Sequence, residues 1–140
     1  MRLMSFALGV CLALFSTAFV HADNATQTPL TASQFEAYTT GKTLTYSRLG
    51  SEPYGAEEYL PGRRVQWAFE GDSCKMGQWY EEAGQICFVY EDNPAPQCWS
   101  FFLRDGGLVA QFENDAASAP LYEIAQSDEP LFCPGPQVGV

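Results

Sequence analysis

Ile86-Cys87-Phe88-Val89-Tyr90 and Cys98-Trp99-Ser100-Phe101-Phe102-Leu103 are the two runs whose reading decides the fold. Both are rich in aromatic and β-branched residues and read as strands. Between them, Glu91-Asp92-Asn93-Pro94-Ala95-Pro96 is turn chemistry, so a hairpin is expected. Placing Cys87 opposite Cys98 puts Ile86 opposite Trp99. One face then gathers Ile86, Phe88, Tyr90, Trp99, Phe101 and Leu103, while Cys87, Val89, Cys98, Ser100, Phe102 and Arg104 take the other. Side chains alternate between faces, so a slip of one residue would split the apolar set. The register that joins the cysteines is therefore also the one that builds a core.

The pattern continues on both sides of this hairpin. Asp105-Gly106 is a type I′ turn signal that sets Leu103 opposite Leu108, Phe101 opposite Ala110 and Trp99 opposite Phe112. Upstream, Thr43 to Leu49, Gly55 to Leu60, Arg63 to Glu70 and Cys74 to Glu82 read as strands, separated by turn residues such as Pro61-Gly62 and Gly71-Asp72-Ser73. Val65, Trp67 and Phe69 alternate toward the core, as do Gly77 and Trp79. Pro120 to Ala125 adds a last strand. Ahead of them all, Thr31-Ala32-Ser33-Gln34 is a capping-box pattern, with Phe35 and Tyr38 on one helix face and Gly41 as a stop, so one short helix over about 32–40 is expected.

About seven to eight short strands joined by hairpins predict a mainly β fold: an antiparallel meander closed into a small barrel, or a strongly curled sheet. The inward aromatics Trp67, Trp79, Phe88, Trp99, Phe101 and Phe112 are the candidate core or ligand-lining residues. A filled interior is the expectation for so small a barrel, and a ligand-lined cavity is the alternative.

The first 22 residues read as an export signal. Met1-Arg2-Leu3-Met4 is a basic start, Ser5 to Val20 is apolar, and Val20-His21-Ala22 offers small or apolar residues at a cleavage site. The apolar run is short for a bilayer span. The expected organisation is a signal peptide over 1–22, a flexible leader over 23–30, one β domain over 31–126 and a tail over 127–140 pinned by a disulfide. No membrane span is expected after cleavage.

Removing 22 of 140 residues leaves 118, with side-chain charge 6 − 17 = −11 in place of −10. It also removes Cys11 and the one histidine, His21. Without an imidazole, Ser-His-Asp and Cys-His catalysis and His-ligated metals are excluded from the processed chain. The acidity argues against a nucleic-acid binder, which needs a basic surface. The remaining Cys74, Cys87, Cys98 and Cys133 allow three pairings. The strand register favours Cys87–Cys98, leaving Cys74–Cys133, with the tail running across the outside of the barrel. No CxxC pair supports zinc, so neither metal nor cofactor is expected.

Glu57-Glu58 and Glu81-Glu82 are the candidate acids for carboxylate chemistry. Neighbours on a strand point to opposite faces, so neither pair is itself a dyad, and solvated acids are the expectation for all of them. Arg63-Arg64 would serve as an anion grip or as a solvated edge. Gly41-Lys42-Thr43 lacks the upstream glycine of a phosphate loop, since position 36 is Glu.

Gly77-Gln78-Trp79-Tyr80, Ile86-Cys87-Phe88-Val89-Tyr90 and Gln97-Cys98-Trp99 together resemble a group of small exported proteobacterial proteins of unknown function. Phe35 to Tyr46 looks like the opening of that group, and Cys133-Pro134-Gly135-Pro136 is similar to its tail. The likeness covers most of the processed chain. It implies a periplasmic or secreted location and carries no catalytic residue. The reading that results is an exported acidic binding module, more a binder than an enzyme, holding a basic protein partner or a small apolar ligand. A carboxylate-only hydrolase and an envelope structural or stress protein are the alternatives.

Overall fold

A computed structural model describes residues 28–49 and 52–134. The signal-peptide segment, residues 23–27 of the leader and the end of the tail lie outside the described residues. One helix, α1 (Ala32–Thr39), precedes eight strands: β1 (Thr43–Arg48), β2 (Pro53–Leu60), β3 (Arg64–Phe69), β4 (Lys75–Glu82), β5 (Gln85–Tyr90), β6 (Asn93–Arg104), β7 (Gly107–Phe112) and β8 (Leu121–Ser127). Each strand pairs antiparallel with the next, and β8 pairs with β1, so the meander closes into a barrel with no free edge. A curled open sheet is thereby ruled out.

The decisive hairpin has the expected register. Ile86 faces Trp99 and Cys87 faces Cys98, and the next pair sets Phe101 against Ala110 and Leu103 against Leu108. Three details differ. β6 begins at Asn93, so the turn shrinks to Glu91-Asp92. Pro94 and Pro96 are tolerated because this stretch lies beyond the β7 ladder, which starts at Trp99, and so has a free side. Leu103 lies at the barrel rim and is exposed rather than inside. The leader, expected to be loose to residue 30, is tied down at its described end, because the Leu30 N–H donates to the Phe101 carbonyl at 2.7 Å and its side chain packs on the core.

One end of the barrel is sealed. Its turns are tight and left-handed, with positive φ at Gly62 and Arg63, at Ala83 and Gly84, and at Asp105 and Gly106. Short turns leave an opening that one helix can cover. α1 enters through its capping box, where the Thr31 hydroxyl and the Gln34 side chain each bond the other's backbone N–H. Gly41 stops it in the left-handed region (φ 84°) and donates to the Tyr59 carbonyl. Phe35, fully buried, is driven into the barrel against Tyr59, Trp79 and Phe101, with the Phe101 centroid 4.4 Å away. Arg63 lies over the Trp79 ring and pairs with Glu36 of the helix at 3.0 Å. It is a clasp on the helix, not an anion grip.

Both disulfides are formed, Cys87–Cys98 between β5 and β6, and Cys74–Cys133 across 59 residues. After β8 the tail turns back over the outer face. The Glu129 carbonyl accepts from Thr43 on β1, the Leu131 N–H donates to Glu58 on β2, and Cys133 passes beside Gln66 on β3 to reach Cys74. Among the described residues no helix is long and apolar enough to cross a membrane.

Candidate ligand-binding site

At the other end the barrel is open. The β3–β4 connection is longer there, and a cavity of about 540 Å³ descends between the strands, a size typical of small-molecule sites. Asp72, Lys75 and Asp92 stand at the rim, Tyr54, Trp67 and Trp99 form the walls, and Tyr46, Glu57, Tyr59, Phe88, Tyr90 and Phe101 make the floor. Phe88 and Phe101 also touch Phe35, so they are the partition between cup and plug.

Two glycines make the space. A Cβ on Gly55 would meet the Trp67 ring at 2.6 Å, and one on Gly77 would meet the Tyr90 ring at 2.6 Å. Each glycine lets an aromatic lie flat on the neighbouring strand and form wall instead of filling. Tyr54, Trp67 and Phe69 then pack on one another at 5.2–6.0 Å between centroids.

Glu57 is the surprise of the interior. It was expected to be a solvated acid, but it is only 5% exposed. Pairing across the three-residue turn Pro61-Gly62-Arg63 sets it against Trp67, on the inward face, while Glu58 points outward to Gln66 and the tail. The Tyr90 hydroxyl donates to Glu57 at 2.7 Å, and the Tyr46 and Tyr59 hydroxyls share a bond of 2.9 Å beside it. Burial pushes the Glu57 carboxyl up from 4.5 to about 8, with hydrogen bonds from Tyr90 and Tyr59 acting the other way. Burial also holds Tyr46, Tyr59 and Tyr90 well above their usual range. At pH 7 the carboxyl is therefore held chiefly in its neutral form. The floor is a neutral polar cluster that can donate or accept a hydrogen bond.

The structure brings Trp67, Phe88, Trp99 and Phe101 together around the cavity. Trp79 is elsewhere, packed under the plug, and Phe112 stands behind Trp99 with centroids 4.8 Å apart. The interior is thus neither wholly filled nor wholly open. Tyr46, Tyr54 and Tyr59 carry no sequence signal of their own, and Glu57, a candidate acid in the sequence, is buried rather than solvated. A Pro61-Gly62 turn alone would set Trp67 against Ala56, and the third turn residue, Arg63, is what moves Glu57 opposite Trp67.

Glu82, Cys87 and Cys98 bring three metal-type ligand atoms within 4.8 Å of one another. Both sulfurs belong to one disulfide, so no thiolate is on offer there.

Comparison with protein-family models, with curated proteins and with solved structures finds no match. The class that fold and site define is a closed eight-stranded antiparallel barrel, plugged by a helix at one end and cupped at the other. The cup of this chain is aromatic, with the Glu57 carboxyl at its floor.

Proposed function

We propose that this protein is an exported, non-catalytic binding module that takes a small molecule with a flat apolar body into the open end of its barrel. The observation that carries this reading is the cavity itself. An eight-stranded barrel is just wide enough to be filled by side chains or to hold one small ligand, and here about 540 Å³ stays open between Trp67 and Trp99. A large share of the aromatic surface the chain could have used for packing is spent on walls. The two disulfides support export to an oxidising compartment. The export signal read in residues 1–22 and the resemblance to small exported proteobacterial proteins point the same way. This reading takes the small ligand over the basic protein partner, because a concave, aromatic-lined site buries a small molecule better than a protein surface.

The test is titration of the purified, oxidised protein with N-phenyl-naphthylamine, a neutral aromatic probe, followed by probe fluorescence and tryptophan quenching. Saturable binding is expected. Trp67→Ala or Trp99→Ala should weaken it by roughly tenfold or more, about 1.4 kcal/mol. Arg64→Ala, on an exposed residue beyond the cup, should leave it unchanged. Absence of saturable binding by the wild-type protein would overturn the proposal.

A further inference from the structure

We infer that the ligand is an organic cation, a quaternary or protonated amine on an apolar body, whose ammonium group sits against Glu57 among the aromatic faces of the cup floor. This rests on the cup being a small-molecule site and adds the charge of what it holds.

Three observations carry it. First, Glu57 is a buried carboxyl without a protein cation. Arg63 is paired with Glu36 at the closed end and Lys75 with Asp92 at the rim, where the ammonium of Lys75 is 3.3 Å from its partner. A carboxyl drawn into an apolar interior is costly unless something compensates it, and here the protein provides only hydroxyl donors. Second, beyond the hydroxyls that touch Glu57 the cavity is lined by aromatic rings, with those of Trp67 and Tyr90 laid against Gly55 and Gly77. Tyr46, Tyr59, Phe88 and Tyr90 line the floor and Trp67 and Trp99 the walls. Ring faces carry negative quadrupole potential and attract ammonium groups, most strongly where water is excluded. Third, the approach is acidic. Asp72 and Asp92 flank the mouth, Asp92 paired with Lys75 and Arg48 lying over the Tyr54 ring, on a chain whose formal charge is −10. That field draws cations in and turns anions away. A carboxylate ligand would meet Glu57 and the ring faces head-on.

The proposal has a proton signature. The titratable and charged groups facing Glu57 are Tyr46 from β1, Tyr59 from β2 and Tyr90 from β5, with Asp72, Lys75 and Asp92 at the rim. β3 contributes only the Trp67 ring. The tyrosines stay neutral, so Glu57 is the floor group that titrates near neutrality. A bound cation draws its proton off to solvent. Affinity for a permanent cation therefore rises with pH and levels off above about 8, and below that it weakens by up to about tenfold per pH unit.

The experiment compares three probes on one ring system, naphthylmethyl-trimethylammonium, naphthalenemethanol and naphthoate, titrated calorimetrically into the wild-type protein and Glu57→Gln from pH 6 to 9. For wild type at pH 8.5 the cation is expected to bind at least about tenfold tighter than the alcohol, and naphthoate weakest. Its affinity should fall toward pH 6 while that of the alcohol stays flat. Glu57→Gln should bring cation and alcohol within a few-fold and remove the pH dependence. The wild-type pH profile stands whether or not the variant folds. If the alcohol binds and the cation does so no more tightly and without pH dependence, the cation inference fails and the cup remains a small-molecule site. If none of the three binds, the small-molecule reading itself fails.

Discussion

The closed and open ends of this barrel are made from the same eight strands and the same kinds of residue, yet one is core and the other is a cup. At the closed end, tight left-handed turns leave a small opening, and α1 covers it by driving Phe35 among Tyr59, Trp79 and Phe101. At the open end, connections such as 70–74 and 113–120 are longer, and no helix crosses them among the described residues. Trp67 and Tyr90 lie over Gly55 and Gly77, so their rings coat the wall and leave the middle free. Aromatic content by itself does not make a core. An aromatic fills the axis or lines it according to what sits beneath it and whether another element presses in from the end.

The comparison makes the plug an energetic centre and the cup a functional one, and substitutions should separate the two. The largest effect is expected from Phe35→Ala. Removing a fully buried ring at the centre of four others should cost about 3–5 kcal/mol in equilibrium denaturation. Trp99→Ala, at a partly buried wall, should cost less stability while damaging probe binding. Equal losses at the two positions would mean that the ends are not distinct.

A second effect is set by pH. The folded Glu57 carboxyl is raised from 4.5 to about 8, so the native state holds a proton that the unfolded chain gives up. The stability this provides is complete below about pH 4.5 and is lost as pH rises through about 8. Glu57→Gln should therefore be more stable than wild type at pH 9, by up to a few kcal/mol. The advantage should vanish near pH 4. Thermal melts across that window check it, and parallel curves for the two proteins would refute the burial of an uncompensated carboxyl.

The smallest effect sharpens the plug. Thr31→Ala removes the helix cap and should cost about 1 kcal/mol, with probe binding at the far end unchanged. A loss of binding would show that the helix and the cup floor are coupled through Phe88 and Phe101.

Much of this was legible beforehand, for local reasons. The Cys87–Cys98 register, the Asp105-Gly106 turn and the Thr31–Gln34 capping box each depend on residues close in the chain, and each is found. The start of β6 was misplaced because Pro94 and Pro96 look like breakers until the free side of that stretch is known. Trp79 could not be told from Trp67 or Trp99 in advance. All three have inward parity, and their distance from α1 along the barrel axis decides which one is sealed in. Glu57 was hidden for a different reason. An acid in an alternating strand is ordinarily an outward residue, and only the pairing with β3 shows it to be inward.

The chain by itself determined the alternation, the Cys87–Cys98 and Asp105-Gly106 hairpin registers and the even set of cysteines, because these follow from period-two geometry and short-range turn chemistry. Only the tertiary structure decided that the sheet closes, that the helix seals one end, and that a carboxyl and a ring of aromatics share the space at the other. Those outcomes depend on contacts between β8 and β1 and between α1 and the far turns, pairings across most of the chain that no local pattern encodes.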